Sequence, residues 1–161
     1  MASDRPRHAN RVFLVVVDES PELKVALRFA CRRAKATGGR VAMLYVTEPA
    51  DSSEWLAVGE IMREERRAEA EHRLQELSAV VQSISGDMPV LYVREGKVQD
   101  ELLKLLDEEP TISILVLGAG TGPKGPGPLV TELAGKLSGK LHVPVTIVPG
   151  SLTEEDVDAI S

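Results

Sequence analysis

Cysteine and aromatic residues are scarce in this chain of 161 residues, which has Cys31 as its single cysteine. One cysteine excludes an internal disulfide and any zinc site built from several cysteines. Cys31 lies on the apolar stripe of a predicted helix, which favours a buried, unreactive thiol. Aromatic residues make up only 3% of the chain, so ligand binding by stacking of bases or of a flavin ring is disfavoured.

Long hydrophobic runs are also absent, since none approaches the ~20 apolar residues of a membrane-spanning helix. Residues 1–10 include Arg5, Arg7 and His8. The apolar run that follows them, of about six residues, is too short for the core of a secretory signal. We expect residues 1–10 to form a flexible segment and the protein to stay in the cytoplasm, with no membrane partner.

Positive charge is in deficit: the formal net charge is -6 and the isoelectric point is near 5.2. An acidic protein repels phosphate backbones, and no basic patch interrupts the sequence, so we predict no nucleic-acid partner. The three histidines are not spaced for a metal site or a Ser-His-Asp triad. Because no nucleophile, general base or metal cluster converges, we predict neither a catalytic residue nor a metal site. The histidines are His8, His72 and His142.

Strand and helix patterns alternate five times along the chain. Apolar, β-branched runs typical of strands buried in a parallel sheet occur at residues 11–18, 40–46, 89–94, 112–117 and 144–148. This alternation predicts an α/β fold with an open parallel sheet and helices on both faces. We expect one domain over residues 11–150, followed at 151–161 by an acidic tail or a short helix.

Helix signals separate the predicted strands. Ser20 is placed as an N-cap, with Pro21 and Glu22 in the first turn, and Gly38 is placed to end this first helix. A long helix is predicted from about residue 54 to residue 84, and a shorter one ends before Pro110. The fourth is predicted from a leucine at every fourth position, namely Leu129, Leu133, Leu137 and Leu141.

The stretch GAGTGPKGPGP at residues 118–128 is the most unusual in the sequence. Its Gly120, Gly122 and Gly125 match a dinucleotide fingerprint in spacing only, because prolines interrupt where a helix should begin. Gly135-Lys136 and Gly139-Lys140 fail as a phosphate loop, because leucine follows each pair and both lie inside the predicted fourth helix.

Three segments together resemble the universal stress protein family: VFLVVVDESPELKVALRFACRRAKATGGRVAMLYV, VREGKVQDELLKLLDEEPTISILVLGAG and LHVPVTIVPG. The resemblance covers residues 11–149. It implies a five-stranded parallel sheet in the order 3-2-1-4-5, like that of adenine nucleotide alpha hydrolases. It also implies a cytoplasmic role in stress response and a homodimer paired through the last strand, Pro144 to Val148, which has an uncharged edge.

That sheet order reverses between strands one and four, so Asp18 and Gly118 should face each other across a crevice. In family members that bind ATP, the resemblance implies that adenine is held by Asp18 and by the backbone at Val46. The phosphates and ribose would lie on a glycine motif after strand four. Counted from the end of that strand, its positions fall on Gly118, Thr121, Thr131 and Glu132.

A second register places the motif on Gly122, Gly125, Gly135 and Lys136, at the cost of a turn of the last helix. We favour the first register, in which Glu132 replaces a hydroxyl donor by a carboxylate that repels phosphate. The loop is then either a semi-rigid surface loop or a crevice for a phosphate-bearing ligand, aided by Gly120, Gly122 and Lys124.

The sequence therefore predicts a dimeric regulatory or protective module with a degraded nucleotide site and no turnover chemistry. The alternative is an ATP-binding member with slow hydrolysis. ATP is the one cofactor that the resemblance suggests. A third class, a pure interaction protein, would bind partners through the long helix or the acidic C-terminal residues.

Overall fold

The computed structural model of the protein describes residues 11–49 and 56–161, with only the backbone at residues 56–58. Five strands form one parallel sheet in the order β3-β2-β1-β4-β5, which confirms the predicted fold and strand order. The predicted N-terminal segment, residues 1–10, lies outside the described residues. The strands are β1 Val12–Val17, β2 Arg40–Thr47, β3 Val90–Glu95, β4 Ile112–Ala119 and β5 Val145–Pro149.

Helices cover both faces of the sheet. Because side chains alternate along a strand, β1 contributes Phe13, Val15 and Val17 to one core and Leu14 and Val16 to the other. α1 and α2 pack on the first core and α3 and α4 on the second, while α5 contacts α1. The helices are α1 Leu23–Thr37, α2 Leu56–Ser85, α3 Val98–Glu108, α4 Pro128–Ala134 and α5 Glu154–Ile160.

The start of α1 differs from the prediction. Ser20 does not cap the helix, because its amide and its hydroxyl both donate to the Asp18 carboxylate, at 2.9 and 2.6 Å. Glu22 occupies the N-cap position and makes no side-chain capping hydrogen bond. The acidic residue expected in the first turn thus stands just before the helix. At the other end, Gly38 terminates α1 in the left-handed conformation, as predicted.

The fourth helix is shorter than its leucine spacing predicts. It ends at Ala134, and a short 3-10 helix follows at Ser138–Lys140. Gly135 and Gly139 explain the early end, since glycine costs about 1 kcal/mol in a helix interior relative to alanine. Leu137 and Leu141 nevertheless pack against the same core as Leu133. Neither Gly-Lys pair therefore lies inside α4 as predicted: Gly135-Lys136 follows its end and Gly139-Lys140 lies in the 3-10 helix, although leucine still follows each lysine.

The C-terminal segment forms a short helix, one of the two alternatives that the sequence left open. Thr153 caps α5 through a capping box with Asp156, and Val157 is fully buried. Asp158 pairs with Arg28 of α1 through two hydrogen bonds of 2.8 and 2.9 Å. No helix within residues 11–49 and 56–161 combines the length and the apolar character needed to cross a membrane.

Candidate functional site

The carboxyl ends of β1, β2 and β4 bring three predicted site residues to one edge of the sheet. Val17 of β1 pairs with Tyr45 of β2, so Asp18 and Val46 come next along their strands. Val15 pairs with Val116, and Gly118 lies two residues further along β4. In an open parallel sheet, this edge beside the central strands is where ligands bind.

Asp18 is exposed at the end of β1. One carboxylate oxygen accepts the hydrogen bonds from Ser20, which fix the turn between β1 and α1. The other oxygen accepts no hydrogen bond from the described residues. It is therefore available to a donor on a ligand.

Val46 contributes its backbone rather than its side chain to this edge. The side chain is buried in the core under α3 and α4. Beside it, the hydroxyl of Thr47 donates to the carbonyl of Arg94 at 3.3 Å, and the amide of Gly96 donates to the carbonyl of Thr47. The end of β2 is thus held to β3.

Gly118 lies directly against Glu22, the N-cap residue of α1. A Cβ atom at this position would lie 2.6 Å from the carbonyl oxygen of Glu22 and 2.9 Å from its Cβ, which no real side chain tolerates. A Cβ on Gly150 would collide with Cγ of the same glutamate, and one on Gly120 would lie 3.3 Å from its Oε1. The three glycines therefore make room for Glu22.

Glu22 is thus the residue that packs against all three glycines at this edge, and it was absent from the predicted site. Its glycine neighbours come from the far end of the chain, so local sequence patterns do not reveal the contact. The available signal was the acidic run Asp18, Glu19 and Glu22 directly after a central strand.

The glycine loop after β4 is closed by its own backbone. The amide of Gly120 donates to the carbonyl of Pro126 at 3.2 Å, and the amide of Gly125 donates to the carbonyl of Gly122 at 3.1 Å. These two amides are consequently engaged within the loop. Thr121, Gly122 and Lys124 are exposed, and Lys124 makes no ion pair with any described residue.

Thr131 lies in the first turns of α4, and its hydroxyl donates to the carbonyl of Gly127 at 2.9 Å. That hydrogen bond engages the hydroxyl proton of Thr131 within its own helix turn. Glu132 beside it is half-buried. The second register of the glycine motif is spread over two places. Gly125 lies in the loop, while Gly135 and Lys136 are exposed beyond the end of α4.

An open cavity of about 580 Å³ lies between the end of β2 and α2, and Val46 is one of its lining residues. Arg66 crosses it and donates to the carbonyl of Glu48 at 2.7 Å. Burial raises the pKa of the Tyr45 phenol, and the negative charges of Glu19 and Glu69 add to that shift. The described residues hold no group of three or more His, Cys, Asp or Glu side chains that could bind a metal.

Comparison with known proteins identifies the chain at the level of its family. The model of the universal stress protein family matches residues 9–149. The chain belongs to the universal stress protein family. No curated protein sequence matches it.

Solved structures of universal stress proteins share this fold at low sequence identity. The universal stress protein UspA from Lactobacillus plantarum is 18% identical, with a TM-score of 0.70 over 86% of this chain and 97% of that one. One from Archaeoglobus fulgidus in complex with dAMP is 19% identical, with a TM-score of 0.56 over 86% and 97% of the two chains. Another, in complex with cAMP, is 17% identical, with a TM-score of 0.59 over 88% and 98%.

Proposed function

We propose that this universal stress protein is a cytoplasmic regulatory or protective module of the stress response whose nucleotide site is degraded. The observation that carries the proposal is Glu22, whose backbone carbonyl and Cβ lie against Gly118, whose Cγ lies against Gly150 and whose Oε1 lies near Gly120. A triphosphate on these glycines would meet the Glu22 carboxylate instead of backbone amides. The negative charges of the phosphate and of the carboxylate would repel each other.

The loop and α4 support the same conclusion. Backbone amides bind phosphate when they point out of a loop unpaired, whereas those of Gly120 and Gly125 donate within the loop. The hydroxyl of Thr131 is likewise engaged. The exposed carboxylates of Asp18 and Glu19 add negative charge at the same edge. Nucleic acid and anionic membranes are disfavoured as partners for the same electrostatic reason.

The test is a search for bound nucleotide. Freshly purified protein is denatured and its extract analysed by chromatography and mass spectrometry, and the native protein is then titrated with ATP and magnesium in a calorimeter. We expect no stoichiometric nucleotide and no heat of binding. Co-purified ATP or ADP, or micromolar affinity, would refute the proposal.

A second candidate is an ATP-binding universal stress protein with slow hydrolysis. It is supported by the exposed Lys124 in the glycine loop, which could neutralise one phosphate charge, and by the relatives in complex with cAMP and dAMP. If it holds, Lys124→Ala weakens ATP binding by about tenfold. Lys35→Ala, at the end of α1, is the matched control and should leave ATP affinity unchanged.

We also propose that the protein is a homodimer paired through β5. Val145–Pro149 is an edge strand without a charged residue, and Ile147 is 42% exposed. The other edge strand, β3, ends in Arg94 and Glu95, and charged side chains protect an edge against pairing. β5 is therefore the edge that favours a second copy.

A further inference from the structure

Helix α5 lies outside the part of the chain that matches the universal stress protein family. The match covers residues 9–149, whereas α5 spans Glu154–Ile160 and packs on α1. All five strands precede it, and Val157 is the one residue of α5 that is buried. α5 is therefore an addition to a sheet that is complete without it.

Three arginines on one side of α1 hold the last turn of α5. Arg28 donates to both carboxylate oxygens of Asp158, at 2.8 and 2.9 Å. Arg32 lies 3.2 Å from the same carboxylate and donates to the hydroxyl of Ser161 at 3.1 Å. Arg33 donates to the backbone oxygen of Ser161 at 3.1 Å. We call Arg28, Arg32 and Arg33 the arginine side of α1.

α5 depends on this docking for its structure. It has seven residues, and a helix of fewer than about 12 residues is marginal in water. Its place is held by Val157 and by ion pairs whose side chains are between 24% and 40% exposed, so salt weakens them. Segments with few buried apolar contacts open before the rest of a domain. Opening of α5 would uncover the three guanidinium groups and the space that Val157 fills.

The docked α5 shows which chemistry fits the uncovered surface. The planar fork of an arginine matches the two oxygens of a carboxylate, as the pair of Arg28 and Asp158 demonstrates. Val157 places an aliphatic side chain directly before that carboxylate, and the first turn of α5 is acidic. The arginine side of α1 thus fits an acidic helix with one aliphatic side chain, a form of the helix-in-groove binding mode.

We propose that the arginine side of α1 is a docking surface for an acidic helix of a partner protein, and that α5 is an autoinhibitory occupant of that surface. The partner helix carries an aliphatic side chain in the place of Val157 and a carboxylate in the place of Asp158. A tethered competitor acts at an effective concentration of about 1 mM, so the partner binds weakly while α5 is docked. The inference does not depend on the nucleotide site, since none of these residues lies there.

The experiment releases α5 in the full-length protein and supplies an acidic helix from outside. The variant Val157→Lys places a charge in a fully buried position, close to the arginines that repel it, and leaves α1 intact. The probe is a fluorescein-labelled peptide with the sequence of residues 151–161, titrated by fluorescence anisotropy at low salt. We expect Val157→Lys to bind the peptide at least about tenfold more tightly than the wild type does.

Matched variants separate release of α5 from a change of charge. Ile160→Lys adds the same charge to the same helix at a position that is 61% exposed, and it should bind the peptide as the wild type does. In the Val157→Lys background, Arg28→Ala should weaken binding by about tenfold. Lys35→Ala removes an exposed cation of α1 and should have no effect.

Amide hydrogen exchange tests the opening of α5 in the wild type. We expect the amides of α5 to exchange at least about tenfold faster than those of β1 and β4, because α5 opens while the sheet stays folded. In Val157→Lys, the strands should keep their protection and α5 should lose it. Equal protection of α5 and the strands in the wild type would mean that α5 opens only on global unfolding, which overturns the proposal.

Two binding outcomes also overturn the proposal. The first is an absence of peptide binding to Val157→Lys up to about 1 mM, or equal binding by Val157→Lys and the wild type. The second is a short single-stranded RNA that binds Val157→Lys as tightly as the peptide, which would assign the surface to nucleic acid. Tighter peptide binding by Val157→Lys that is lost on Arg28→Ala supports an acidic helix as the partner.

Discussion

At the scale of the residue, Cys31 illustrates how burial determines chemistry. Its side chain is fully buried in the core between α1 and the sheet. Loss of hydration raises the pKa of the thiol from 9.0 to about 12, against a small lowering effect of Arg28. The sequence prediction of a buried cysteine is confirmed, because the apolar stripe of α1 places it beneath the helix.

We expect Cys31 to contribute a pH-dependent part of the stability. A raised pKa in the folded state means that the contribution is complete below the unfolded pKa of 9.0 and is lost as pH rises toward about 12. Urea unfolding of the wild type and of Cys31→Ala should therefore differ less at about pH 10 than at about pH 7. A constant difference would contradict the buried thiol.

Gly118 makes a second prediction at this scale, about packing rather than charge. Gly118→Ala would force its Cβ against the carbonyl oxygen of Glu22, and such overpacking costs about 1–3 kcal/mol. Gly122→Ala is the control: no atom lies within 4 Å of its Cβ position, so a change within about 0.5 kcal/mol is expected. Chemical denaturation measures both, and equal effects would refute the close packing.

At the scale of the element, α4 and α5 show two limits of pattern reasoning. The four-residue leucine period correctly indicates which side of the chain after β4 is buried. It does not predict that the helix ends at Ala134, because hydrophobic periodicity takes no account of the free-energy cost of Gly135 and Gly139 in a helix. α5 docks on α1 through Arg28, whose guanidinium holds the pKa of Asp158 below its ordinary value. That pairing joins residues 130 positions apart.

The docking of α5 on α1 should depend on its buried apolar side chain and not on its exposed one. Val157 is fully buried, whereas Ile160 is 61% exposed. Val157→Ala removes two methyl groups from the core and is expected to cost about 2 kcal/mol. Ile160→Ala should change the free energy of unfolding by less than about 0.5 kcal/mol. Urea denaturation of the two variants measures both changes in the free energy of unfolding. A larger loss of stability in Ile160→Ala than in Val157→Ala would mean that α5 docks in another register.

At the scale of the whole molecule, the sheet order brings together what the chain separates. β1 lies at the centre, between β2 and β4, so the residues that follow these three strands share one edge. The order also leaves β3 and β5 at the two sides. Both the crevice and the proposed dimer surface therefore follow from the topology rather than from any single segment.

The dimer proposal predicts different effects at the two sheet edges. Ile147→Lys places a charge on β5 and should raise the dissociation constant of the dimer by at least about tenfold. Leu91→Lys on β3, where the side chain is 40% exposed, should leave it unchanged. Sedimentation velocity over a dilution series measures both. A monomeric wild type, or dissociation by the β3 variant alone, would refute pairing through β5.

The sequence alone determined the number and type of the main elements, because hydrophobic periodicity and burial on both faces are written in neighbouring residues. Together with the family resemblance it also predicted the strand order and the placing of Asp18, Val46 and Gly118 at one edge. Only the tertiary structure brought Glu22 against Gly118 and Gly150, closed the glycine loop on itself and docked α5 on α1. The contacts of Glu22 and of α5 join residues far apart in the chain, whose proximity depends on how the elements pack and not on any local pattern.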